Sequence, residues 1–103
     1  SIVASPAQPI LFDTQGSSDL AVAGMGDMLS GVCGALMAQG LEPAVAGAAG
    51  LYLSGRAARI SKRGAGLMPS DVSERIPDVL LEKTDVRGSL PFPFVIFDAE
   101  ADQ

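Results

Sequence analysis

Apolar and polar positions divide the chain into a β-type opening, three helical stretches and a mixed tail. Ile2-Val3-Ala4 and Ile10-Leu11-Phe12 are β-type runs separated by Pro6-Ala7-Gln8-Pro9. Prolines at the tip lose no ladder N–H, so the pattern predicts a hairpin over about residues 2–14. Asp13 to Asp19 is polar and holds Gly16, which makes it a loop. An apolar run from Met28 to Ala38 follows, with Gly40 as its stop. It predicts a helix from about Asp27 to Gln39. Met28, Leu29, Val32, Cys33, Leu36 and Met37 cover much of the circumference, and Gly31, Gly34, Ala35 and Ala38 fill the rest. A helix without a polar face is a buried helix. One small hairpin in 103 residues can hardly enclose it, so a further sheet or helix layer is expected over it.

Pro43 suits the first turn of a second helix, which runs through Ala44 to about Lys62 and ends at Gly64. Its Ala/Gly-rich face over 44–58 also needs covering. Arg56, Arg59 and Arg63 share a face near its C-terminus, where the helix dipole favours cations. They read first as a solvated helix end and second as a phosphate contact. After the loop Gly64 to Pro69, Ser70 is expected to cap a third helix with Asp71 in its first turn. Val72, Ile76, Val79 and Leu80 form its apolar stripe, and Pro77 is expected to kink it or split it. From Thr84 the pattern dissolves. Pro91 to Phe97 is an apolar patch before an acidic tail, either a docked extension or disorder. The division expected is a main unit over 1–83 and an extension over 84–103.

Composition narrows the chemistry. The chain is one domain at most, with four Phe, one Tyr and no Trp among a core of Ala, Val, Leu and Met. Net charge is −5, which argues against nucleic acid or an anionic membrane as partner. Residues 1–70 are neutral overall, and the whole excess of acid lies in 71–103. One cysteine and no histidine exclude an internal disulfide, a Cys/His zinc site and a histidine-based triad. Cys33, in the apolar helix, reads as a small buried hydrophobe. No apolar run approaches the ~18 residues of a membrane span, and no basic–apolar signal opens the chain, so a soluble, cytoplasmic protein is expected. The start at Ser1, with no Met, leads to the expectation of a processed, tagged or excised piece.

One stretch carries candidate chemistry. Ala23-Gly24-Met25-Gly26 is a small-residue turn that leads into a single acid, Asp27, at the start of the buried helix. Glycines on either side of one residue let backbone come close to a ligand. The helix behind them aims unpaired N–H groups and its positive end at the same spot, which suits an anion. Asp27 is placed to take a proton from a hydroxyl beside a bound phosphate. Ordinary capping of the first helical turn is the competing role for Asp27.

Ala21 to Gly31 resembles the glycine–acid signature of ribokinase-like kinases, in which such a turn opens a buried helix. Two further stretches narrow the resemblance. Ala38-Gln39-Gly40-Leu41 with Ala46, Leu51-Tyr52-Leu53 and Gly55-Arg56-Ala57 is one, and Gly66-Leu67-Met68-Pro69-Ser70-Asp71-Val72 is the other. Together they are similar to the C-terminal part of the ADP/ATP-dependent NAD(P)H-hydrate dehydratases, over about residues 1–83. The implied fold class is α/β, the C-terminal part of a ribokinase-like fold, with a β-hairpin followed by packed helices and incomplete at this length. The chain departs from the family at Met25, where Ser or Thr is usual, at Ser54 for His, at Pro69 for Ala, and in the loop Gly16 to Leu20.

The resemblance implies a lyase that uses ADP or ATP with Mg²⁺ to dehydrate the hydrated nicotinamide ring of NADHX or NADPHX. Asp27 would be the catalytic acid–base at the substrate, and Gly24, Met25 and Gly26 would hold nucleotide phosphate through their backbone. No residue of this chain is assigned to metal. The family's lysine–glycine nucleotide loop would fall just before Ser1, so the segment alone is expected to be inactive. It is expected to associate with itself or with a missing N-terminal portion. Two alternatives stand beside this: a ribokinase-like kinase of a small sugar or vitamin precursor, and a non-catalytic remnant whose helix faces serve assembly.

Overall fold

Small side chains let elements pack backbone against backbone, and the second helical stretch is richest in them. The computed structural model describes residues 1–82 and 94–97. β1 (Ile2–Val3) and β2 (Ile10–Asp13) form the hairpin expected from the proline-bounded runs. A 3-10 turn at Ser18–Leu20 leads to α1 (Met25–Ala38), α2 (Pro43–Ser61), a second 3-10 turn at Gly64–Gly66, α3 (Pro69–Leu80) and β3 (Phe94–Phe97). β3 adds to β2 in an antiparallel sheet of order β1-β2-β3. The architecture is α/β. The apolar patch near the end of the chain is therefore docked at 94–97, while the rest of the 84–103 extension lies outside the described residues.

The enclosed helix is α2, not α1. Ala46, Gly50, Leu51, Leu53, Ser54, Gly55 and Ala57 of α2 are all buried. The helix packs on α1 on one side, on α3 on another, and beneath the hairpin. Its Leu53 and Ala57 share the core with Met25, Leu67, Val72 and Val79. Burying each large apolar side chain contributes about 1.5–3 kcal/mol. In α1 only Met25 is buried. Asp27, Ser30, Gly31, Gly34, Ala35, Met37 and Ala38 are exposed in this chain, and Met28, Leu29, Val32, Cys33 and Leu36 are half-buried against α2 and the core. The lack of a polar face on α1 thus leaves a small-residue surface open here, as expected for a helix that one hairpin cannot enclose.

The two helices meet closely because a residue is missing its Cβ. A Cβ on Gly50 would lie 2.6 Å from Cys33 Sγ, inside contact distance. Elsewhere α2 has more room: a Cβ on Gly47 would sit 3.5 Å from the Val3 side chain. Lys62, in the left-handed region at φ 56°, ends α2. Cross-strand pairing puts Val3, Leu11, Asp13, Phe94 and Ile96 on one face of the sheet, where Val3 reaches Gly47 of α2. Ile2, Ile10, Phe12, Val95 and Phe97 share the other.

Three local expectations change. The cap of α3 is Met68, not Ser70: the helix begins at Pro69, and the Met68 N–H donates to Asp71 Oδ2 (2.9 Å). Pro suits a first turn because its missing N–H had no helical partner. Of the kink or split expected at Pro77, the split does not occur: α3 runs unbroken to Leu80 with Pro77 inside it. Of the predicted stripe, Val72 and Val79 are buried and Ile76 is half-buried, but Leu80 points to the surface with 64% exposure. Among the described residues no helix is long and apolar enough to cross a membrane.

The Gly50 contact generates a test. Gly50→Ala gains about 0.5–1 kcal/mol of helix propensity but pushes a methyl into Cys33, an overpacking cost of about 1–3 kcal/mol. Urea denaturation should show net destabilisation for Gly50→Ala and none for Gly47→Ala. Adding Cys33→Ala should recover most of the loss. Equal stability of the two glycine variants would mean that the helices do not approach as described.

Candidate functional site

The glycine turn is built by three local constraints. Gly24 caps α1 in the left-handed region at φ 88°, a conformation that costs other residues a Cβ clash. Met25 sends its side chain into the core, only 7% exposed, and so pins the first turn of α1 to α2 and α3. Gly26 and Asp27 then face outward on the other side of that turn, both exposed. The space above Gly26 is open: a Cβ there would meet nothing within 4 Å.

Hydrogen bonding refines which amides are available. The Met25 N–H donates to the Val22 carbonyl (3.1 Å), so the amide between the two glycines is engaged inside the turn. Among the described residues, the N–H groups of Gly24, Gly26 and Asp27 have no acceptor. The backbone N–H groups left open at this turn are those of the two glycines and the acid, while the Met25 side chain is buried. The Met25 amide, expected to hold phosphate, donates within the turn in this chain. The physical reason is the tight turn before the helix, which consumes that donor. The Asp27 carboxylate has neither a hydrogen bond nor an ion pair among the described residues, so it does not cap its own helix. Gly24 as cap provides no side chain for that role either.

Beside the turn lies a cavity of about 480 Å³. Its apolar wall comes from α1 and α2, with Met25, Met28, Leu29 and Leu51, and its polar rim from Asp13, Ser17 and Ser18 of the hairpin and the following loop. Gly26 lies on its boundary, whereas Asp27 does not line it. The loop is held against α2 because Gly55 has no side chain: a Cβ there would lie 3.2 Å from Gln15 Cβ. Gln15 is itself buried, and its N–H donates to Asp13 Oδ1 (2.9 Å). The cavity and its neighbours Ser17, Ser18 and Ser54 had no signature in sequence, because they converge from three separate elements.

The arginines of α2 do not gather at the turn. Arg56 Nε lies 3.0 Å from Glu82 Oε1, and Arg63 Nε lies 3.7 Å from Asp71 Oδ1. Arg59 is exposed beside a small pocket with Gln15, Ser17 and Asp19. Among the described residues no three His, Cys, Asp or Glu side chains gather to hold a metal ion.

Comparison with known proteins adds the family. The ADP-dependent (S)-NAD(P)H-hydrate dehydratase of Neisseria meningitidis serogroup B is 44% identical over 66 residues, which cover 64% of this chain and 22% of that protein. The bifunctional NAD(P)H-hydrate repair enzymes Nnr of Moorella thermoacetica and Salinibacter ruber are 37% and 39% identical over 77% and 81% of this chain. The matched parts make up 16% of each of those two enzymes, so the chain spans a small part of the relatives it matches. No solved structure matches it. The carbohydrate-kinase sequence model described as NAD(P)H-hydrate dehydratase matches residues 1–78, and with the glycine–acid turn and helix pair in that span, the chain belongs to this family.

Proposed function

We propose that the chain carries the glycine-turn and acid part of the site of a nucleotide-dependent NAD(P)H-hydrate dehydratase, a lyase that repairs hydrated NADH or NADPH. The observation that supports this most is Asp27. It is an exposed carboxylate without a partner among the described residues, one residue beyond the open amide of Gly26, inside the span that matches the family. Such an acid, beside free N–H groups at a helix N-terminus, suits proton removal from a hydroxyl that is held against phosphate.

ADP or ATP, when bound, supplies the phosphoryl group that turns the ring hydroxyl into a leaving group. The residues of this chain hold and orient. The N–H groups of Gly24, Gly26 and Asp27 donate to phosphate oxygens, and the open face of Gly26 permits that approach. Asp27 accepts the proton from the substrate hydroxyl. The buried Met25 side chain fixes the turn, so the amides need no reorganisation as charge develops. Among the described residues no three His, Cys, Asp or Glu side chains gather for a metal ion, and no step here is routed through one. The exposed small-residue face of α1 is where a further part of the domain, or a second copy, would pack.

In the full-length enzyme, Asp27→Asn should lower turnover of NADHX by at least about 10²-fold, as for loss of a positioned general base. Nucleotide affinity should change little. Near-normal turnover in that variant would remove Asp27 from the chemistry. Residues 1–103 alone should show no ADP- or ATP-dependent repair of NADHX, since lost positioning removes several orders of magnitude in rate. Sedimentation should find them associated through exposed apolar surface. A stable monomer that turns over NADHX would contradict both expectations.

A further inference from the structure

The sheet beside the cavity is completed by a strand from outside the span that matches the family, residues 1–78. β1 pairs with β2 at two positions, Ile2↔Phe12 and Val3↔Leu11. A two-stranded ribbon is marginal in water, and a third strand is needed for independent stability. β3 adds four pairings to β2, from Ile10↔Phe97 to Asp13↔Phe94. On the β1 side the register stops at Phe12, whereas β3 carries it on to Asp13. Asp13 is where the sheet meets the cavity. It lines that cavity, its N–H donates to the Ser1 carbonyl (2.9 Å), and its Oδ1 accepts from the Gln15 N–H (2.9 Å). The last of these bonds turns the chain into the loop that brings Gly16, Ser17 and Ser18 to the same rim. Within β3, Val95, Ile96 and Phe97 are exposed, and Phe94, opposite Asp13, is the half-buried residue. Directly opposed residues of an antiparallel pair have Cβ atoms about 4.5–5.5 Å apart, so Phe94 stands beside Asp13 on one face of the sheet.

We propose that Phe94 is a positioning residue for the cavity: paired with Asp13, it fixes the end of β2 and, through Asp13, the rim loop over residues 15–18. Phe94 does not itself line the cavity, so its influence passes through the strand end on which the loop hangs. The proposal rests on the function inferred above only for the substrate used as probe.

The test compares the full-length wild type with Phe94→Ala, Phe94→Tyr and Phe97→Ala, the last at the far end of β3, opposite Ile10. Amide exchange is followed over residues 14–18, and steady-state kinetics give KM and kcat for NADHX. Phe94→Ala should speed exchange over 14–18, the Gln15 amide included. It should also raise KM by about 5- to 30-fold, the factor that corresponds to fixing about one backbone residue anew at binding. The change in kcat should be smaller, because Asp27 sits on α1 and not on this loop. Phe94→Tyr should restore both readouts, and Phe97→Ala should leave both near wild type although it also trims β3. An unchanged KM in Phe94→Ala, whatever its thermal midpoint, would make β3 an edge cap only and overturn the proposal. Equal effects of Phe94→Ala and Phe97→Ala would overturn it as well. If the wild type does not turn over NADHX, the dehydratase function falls and amide exchange alone decides. Faster exchange confined to Phe94→Ala then supports the positioning role, and unchanged exchange removes it.

Discussion

The structure depends on how closely α1 and α2 approach. At Gly50 the α2 backbone comes so near that Cys33 Sγ occupies the place a side chain would need, 2.6 Å from an added Cβ. That approach brings Leu53 and Ala57 into one core with Met25, from the first turn of α1. Burial of Met25 then decides which way the turn faces. With its side chain inward, Gly26 and Asp27 on the same turn look outward, and their amides have no acceptor among the described residues. Packing at one end of the turn thus creates binding capacity at the other.

The same device recurs at Gly55. There the missing side chain lets the loop at Gln15 close on α2, with Gln15 Cβ 3.2 Å from where a Cβ would stand. The loop carries Ser17 and Ser18 to the mouth of the cavity, whose far wall is α1 and α2. Neither the glycine turn nor the loop would enclose this cavity alone. They do so because two glycines, five residues apart on one helix, admit a helix on one side and a loop on the other.

β3 lies beyond the span that matches the family, residues 1–78, and pairs along the whole of β2. It gives the hydrogen-bonding edge of β2 a partner, which an open edge strand otherwise offers to other chains. The ion pairs Arg56–Glu82 and Arg63–Asp71 tie the ends of α2 and α3 together at partly exposed positions. Exposed pairs of this kind contribute about 0–1 kcal/mol, so the helix contact rests on Val72, Val79 and Leu67 instead.

Local rules made the hairpin, the three helices and the glycine–acid turn legible in sequence. Prolines at a tip, a Pro in a first turn, an apolar run ended by glycine and a pair of glycines before an acid each act over a few residues. The order of those motifs also carried the family. What the sequence could not decide was which apolar helix lies inside. By composition α1 had no polar face and α2 had Tyr52 and three arginines at or just beyond its end, yet α2 is enclosed and α1 is half open. Burial depends on what surrounds a helix, and α2 alone touches the other two helices and both hairpin strands. The amide spent at Met25 and the close contacts at Gly50 and Gly55 are likewise properties of tertiary structure. Each arises where segments distant in sequence meet, and no local pattern encodes the distance between them.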